Sequence, residues 1–168
     1  MKAVERGEGR VASSWYNTPE RVALLIVRAE HWVGTPFFPN SQTAGPKGGV
    51  SCQKLASALY EESGFGRIEV PEVAMSHARF SMVSLMEAWM DGRPEFKAIL
   101  DLSDREPGDL LGFRIHRTIH HMGVLLSRGV FIHALDGVGT VYNELSDPTW
   151  GSRLGRVWRP LWRAPKEI

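Results

Sequence analysis

The sequence predicts an α+β domain in which helices come first and an antiparallel sheet follows. Three observations carry this. Apolar residues recur with a helical period between Pro19 and Gly64, they alternate with a period of two after residue 109, and the change falls at the turn Glu106-Pro107-Gly108-Asp109. Elements segregated in this way bury their apolar faces by packing one layer on the other, here the sheet on the helix that begins at Ser51.

Asn17-Thr18-Pro19-Glu20 starts the first helix, because Thr18 can accept from an orphan N–H and Pro19 loses no hydrogen bond in the first turn. Val22, Leu25, Ile26 and Ala29 form its apolar stripe, and Gly34 and Pro36 end it near Trp32. Residues 34–50, GTPFFPNSQTAGPKGGV, are rich in glycine and proline and read as an ordered surface loop. Loops of this length usually have a role. Cys52, Leu55, Ala56 and Leu59 then set a second helical stripe, closed at Gly64.

Residues 76–91 predict a third helix, with Phe80, Val83, Met86 and Trp89 on its inner face and Asp91-Gly92 at its end. The segments LLGFRI, HHMGVLLS, VFIHAL and TVYNEL follow as a four-stranded antiparallel meander. The tail carries Arg153, Arg156, Arg159 and Arg163 among Trp150, Trp158 and Trp162. It reads as a segment that closes the domain, with tryptophans buried and arginines solvated. Met75, Met82, Met86 and Met90 read as packing.

With 168 residues, 43% hydrophobic and 23% charged, the chain is expected to be one domain over residues 1–168. Twenty basic residues against 19 acidic leave a net charge of +1, so no overall field draws in a nucleic acid. The single cysteine cannot form an internal disulfide, and the first fifteen residues, with Glu5 and Glu8, do not read as a secretory leader. The longest purely apolar stretch, Val22 to Val27, is far below the ~20 residues that span a bilayer. The expectation is a soluble protein, cytoplasmic as encoded, that reaches a cell wall only if something such as a phage or tail-like particle delivers it.

Cys52 has two readings. Its periodicity with Leu55 and Leu59 makes it a small core residue. Its place in the first helical turn behind Ser51, where unpaired N–H groups favour negative charge, makes it a thiolate nucleophile with a lowered pKa. A nucleophile needs a base. The strands offer His116, His120, His121 and His133.

His120 and His121 are adjacent and should face opposite sides of a strand. If the turn Ser127-Arg128-Gly129 is a three-residue loop, Leu126 pairs with Val130 and His133 lies opposite Gly123, on the face of His121. A two-residue loop would reverse this. With the parity kept, Cys52 attacks, His121 takes its proton, His133 holds the far nitrogen of His121, and Gly123 leaves space for the His133 ring. A zinc centre is disfavoured: the histidine spacing matches no ligand pattern and there is no second cysteine.

The segments AEHWVGTPFFP, GGVSCQKLASALYEESGF, EPGDLLGF, HHMGVLL and VFIHALDGVGTV, in this order from about Ala29 to Trp162, resemble the NlpC/P60 family of papain-like cysteine peptidases, in its phage-tail and cell-wall hydrolase variety. The resemblance implies a papain-like fold and an amidase or peptidase that opens peptide bonds of peptidoglycan through a thioester, typically at a γ-D-glutamyl to diamino-acid link. It implies Cys52 as nucleophile, His121 as base, His133 as orienting residue, and no metal or organic cofactor.

Ser51, Phe37 and Gln42 are the candidate substrate-binding or oxyanion positions. Here the chain departs from the family, which commonly has Asp before the cysteine, Ser-Gly after it and a tyrosine in the upstream loop. This chain has Ser51, Gln53-Lys54 and Phe37. In the family those positions help bind a peptide amine or the developing oxyanion, so an amine would lack its carboxylate partner, while the Cys52 N–H remains as an oxyanion donor. Two alternatives follow: a thiol-dependent acyltransferase or deamidase on the same fold, and a non-catalytic component of a tail-like assembly.

Overall fold

The computed structural model describes residues 13–72, 74 and 83–162. Helix α1 spans Pro19–Trp32, with Thr18 Oγ1 accepting from the Arg21 N–H at 3.3 Å. Leu25, Ala29 and Trp32 are buried, with Val22 and Ile26 packed beside them. The loop that follows holds a small hairpin, β1 (Gln42–Thr43) and β2 (Gly49–Val50), and bridges Phe37 to Val50.

Helix α2 (Cys52–Glu62) is capped by Ser51, whose hydroxyl accepts from the Lys54 N–H at 3.3 Å, and it ends before Gly64, which takes a φ of 91°. The expected stripe is too narrow. Gln53, Ser57, Ala58 and Tyr60 are buried along with Cys52, Leu55, Ala56 and Leu59, because α2 packs against both α1 and the sheet.

Helix α3 (Leu85–Asp91) starts later than the pattern predicts. Ser84 caps it, accepting from the Glu87 N–H at 3.0 Å. Val83 precedes the cap and is exposed, Met86 and Met90 are buried, and Trp89 packs at the edge of the core. The remainder of the expected helix, residues 76–82 with Phe80, lies outside the described residues, as do Met75 and Met82.

The four predicted strands are present as β4 (Leu110–Ile115), β5 (Thr118–Ser127), β6 (Val130–Leu135) and β7 (Gly139–Glu144). Two more, β3 (Phe96–Ala98) and β8 (Leu154–Pro160), extend the antiparallel sheet to six in the order β3-β8-β4-β5-β6-β7. The tail therefore does more than close the domain. Two of its arginines are paired, whereas Arg153 is exposed as expected and Arg163 lies outside the described residues: Arg156 bonds Glu87 and Asp91, and Arg159 Nη2 lies 2.9 Å from the carboxylate of Asp109, which has no exposed surface. A carboxylate so buried requires such a partner. Trp150 and Trp158 are buried, whereas Trp162 is exposed.

Both sheet faces are covered. Leu110, Met122, Val124 and Ile132 pack in one core with α1 and α2, while Leu111, Phe113, Leu125 and Phe131 pack in a second with Leu145 and Trp150. Period-two alternation thus feeds two cores.

The β5–β6 hairpin reaches the expected register by a different turn. Arg128 (φ 43°) and Gly129 (φ 84°) form a two-residue turn closed by Ser127 and Val130. Leu126, expected opposite Val130, is instead the extra residue of a bulge. The bulge restores the parity that the short turn alone would reverse, so Leu125 pairs with Phe131 and Val124 with Ile132.

Candidate active site

A second bulge sits farther along β5. Phe113 pairs with His121 and Arg114 with Ile119, which makes His120 the extra residue of the bulge. Strict alternation fails there, and both adjacent histidines line one cleft, contrary to the expectation that they diverge. The cleft has a volume of about 680 Å³. Phe37, Pro39 and Asn40 from the glycine- and proline-rich loop form part of its lining, together with Ser51, Cys52 and Gln53 at the start of α2 and Trp150 and Arg153 from the segment before β8.

The two histidines expected to share a face are joined. His121 Nε2 lies 2.8 Å from His133 Nδ1, and His133 Nε2 lies 2.7 Å from Asn143 Oδ1. An amide oxygen only accepts, so His133 donates through Nε2. In a neutral ring its Nδ1 must then accept, so His121 donates through Nε2 and keeps Nδ1 as its unprotonated nitrogen.

Aromatic rings box the pair. Trp150, from the short helix α4 (Pro148–Gly151), meets His133 edge-on with centroids 4.5 Å apart and lies 5.7 Å from His121, while Phe131 lies 4.7 Å from His133. Gly123 makes room, though chiefly for Phe131: a Cβ there would come 2.9 Å from Phe131 Cδ2 and 3.5 Å from His133 Cβ.

Burial sets the protonation states. It pushes the His121 imidazole down to about 3, helped by the charges of His133, His120 and Arg153. It pushes His133 down to about 4, against the bond to Asn143, which raises it. Both rings are neutral at pH 7.

Cys52 is 6% exposed: it packs in the α2 core and it also lines the cleft. The expected lowering of its pKa does not occur. Burial pushes the thiol up to about 12, outweighing the N–H groups of Met122, Gln53 and Cys52 itself that favour the thiolate, and the Glu72 charge adds to the rise. Met122 follows His121 on β5, so the sulfur sits beside the strand that carries His121. Its hydrogen bond goes elsewhere: Cys52 Sγ–H donates to Gln53 Oε1 at 3.0 Å.

Of the other candidates, Phe37 and Ser51 line the cleft. Gln42 is exposed on β1, where it pairs with the buried Val50, and it is not among the lining residues. The carboxylate missing from position 51 comes from farther along the chain. Glu72 lines the cleft, its Oε1 accepts from the Ser51 hydroxyl, and its Oε2 accepts from the Asn40 N–H at 2.7 Å. Among the described residues, no three His, Cys, Asp or Glu side chains group as a metal site.

Sequence reasoning missed Glu72, Asn143 and Trp150. Asn143 had a signal: β7 pairs Val141 with His133, so the polar residue two positions on shares the His133 face. Glu72 and Trp150 had none, since each reaches the site from a separate loop or turn.

The model of the NlpC/P60 family matches residues 40–159, which covers well over half of the chain. A probable endopeptidase of Haemophilus influenzae is 23% identical over 142 residues, 82% of this chain and 74% of that protein. Murein DD-endopeptidase MepS/Murein LD-carboxypeptidase of Escherichia coli K12 is 23% identical over 133 residues, and this chain spans 60% of its length. A Staphylococcus aureus NLP/P60 protein similar to a lipoprotein superposes with a TM-score of 0.64 at 21% identity, over 92% of this chain and 45% of its own. Match, relatives and fold agree: the chain belongs to the NlpC/P60 family.

Proposed function

We propose that this protein is a cysteine peptidase that hydrolyses amide bonds in the peptides of bacterial cell walls, with Cys52 as nucleophile, His121 as general base and His133 as the residue that orients it. The observation that carries the reading is the chain of hydrogen bonds from Asn143 through His133 to His121, beside a cleft that also holds the family's cysteine. It leaves His121 Nδ1 as a neutral base. The relatives named endopeptidase and murein endopeptidase support the substrate class.

In this reading Cys52 does not rest as a thiolate. Its proton passes to His121 Nδ1 as the sulfur attacks, His121 returns the proton to the leaving amine, and water then releases the thioester. The histidine cation formed in transit is stabilised by the lone pair of His133 Nδ1. Trp150 keeps water from the buried side of the two rings.

Glu72 restores the amine-binding character that Ser51 by itself would lack. Held by Ser51 and by the Asn40 N–H, its carboxylate is aimed and desolvated on one side before a substrate arrives. A wall peptide with a free ammonium group near the scissile bond fits such a wall.

Purified wall peptides incubated with the protein and with Cys52→Ala, with products read by mass spectrometry, test the proposal. Hydrolysis by the wild type alone is expected, and the fragment masses identify the bond. Equal cleavage by both, or an acyl group moved to an added amine in place of water, would overturn it.

A further inference from the structure

We propose that Gln53 is a further catalytic residue: its side-chain amide holds the thiol proton of Cys52 before reaction. Turned end for end, it then donates to the negative charge that forms first on sulfur and then on the attacked carbonyl oxygen. This rests on Cys52 being the nucleophile. The geometry is local. Gln53 follows Cys52 in the first turn of α2, is 6% exposed, lines the cleft, and places Oε1 3.0 Å from Sγ.

Glutamine is seldom this buried, and a buried amide is expected to be satisfied. Among the described residues the partner found for this amide is the thiol, and S–H is a weak donor. The other end of the amide is not shut in. Gln53 lines the cleft, and its Nε2 is not among the sealed, unpaired polar side-chain atoms of the described residues, which are Trp15 Nε1, Glu95 Oε2, Thr118 Oγ1 and Thr140 Oγ1. Phe37 in the same cleft brings no donor.

The chemistry makes the turn necessary. The proton leaves Sγ for His121 Nδ1, and the electron pair left on sulfur forms the new S–C bond. The carbonyl π pair moves to oxygen. The C–N bond breaks as the amine takes the proton from His121, and water later splits the thioester while the proton it loses returns to sulfur. An accepting Oε1 suits only the neutral thiol, because with the sulfur ionised two electron-rich atoms would face each other. The terminal amide torsion is broad and two-fold. A half-turn brings Nε2–H to the anion, and a hydrogen bond to an ion is roughly twice as strong as the neutral bond it replaces.

Gln53→Met keeps length and bulk without a donor, and Gln53→Glu keeps shape while adding charge. Two readouts are taken on each variant after circular dichroism confirms the fold: the iodoacetamide alkylation rate of Cys52, and kcat and KM on purified wall peptides. Alkylation is expected to slow roughly three- to tenfold in the Met variant and further in the Glu variant. The expected loss in kcat is roughly 10²-fold, with KM within about threefold of wild type.

A glutamine that only packs, or only restrains the resting thiol, would leave the Met variant alkylating and turning over at least as fast as wild type. Either result overturns the proposal, and one folded variant suffices. If the wild type cleaves no wall peptide, the reading of function falls, while the alkylation order still decides the part of Gln53.

Discussion

His121 Nε2 and His133 Nδ1 lie 2.8 Å apart, and with Asn143 they align three polar side chains from three neighbouring strands, β5, β6 and β7. That contact assigns the protons. Asn143 can only accept through its oxygen, so every proton position on the two rings follows from one amide.

Removing that amide should cost catalysis and little else. Asn143→Leu frees His133 to choose either tautomer, so kcat on wall peptides should fall on the order of 10²-fold with KM nearly unchanged. His133→Ala should lose at least as much. Steady-state kinetics on the folded variants measure both, and an Asn143→Leu enzyme as fast as wild type would remove the relay from the mechanism.

The buried imidazoles also link stability to pH. Both have folded pKa values below the ordinary value of 6.5, so the unfolded chain binds their protons first as the pH falls. Stability should therefore decline from about pH 6.5 toward pH 4, at up to about 1.4 kcal/mol per pH unit for each ring. Denaturant melts between pH 7 and pH 4 should show a shallower slope in His133→Gln than in wild type. For the same reason the acid limb of kcat/KM should lie well below pH 6.5, because His121 stays an unprotonated base there.

Glu72→Gln separates binding from chemistry. Losing one charge-assisted hydrogen bond of roughly 1.5–3 kcal/mol should lower kcat/KM by roughly 10- to 150-fold for a peptide with a free ammonium group, mostly through KM. The same peptide acetylated on that amine should be a poor substrate for wild type and little affected by the substitution. A parallel loss on both peptides would place Glu72 in support of the fold alone.

The fully buried Asp109 and the part-exposed Arg159 form the ion pair that ties β8 to the turn before β4. Arg159→Met should leave the Asp109 carboxylate unpaired at a cost of roughly 3–5 kcal/mol, seen as a lower denaturant midpoint. Replacing both, as Asp109→Asn with Arg159→Met, should recover part of the loss, since no buried charge then remains.

The order of elements, the cap and stripe of α1, the start of α2 at Ser51 and the four strands β4–β7 were legible in the chain, because local periodicity and capping chemistry decide them. So was the shared face of His121 and His133. What lay beyond the sequence depends on contacts between distant segments. The two bulges of β5 are decided by how neighbouring strands accommodate an extra residue: one keeps His121 and His133 together across a shorter turn, and the other brings His120 into the cleft. Burial, a property of the whole packed molecule, raised the thiol pKa that the helix terminus alone would lower. Glu72, twenty-one positions from Ser51, supplied the missing carboxylate because folding brought its loop back to the first turn of α2. Local sequence sets backbone propensity, whereas desolvation and long-range pairing arise only once the layers close.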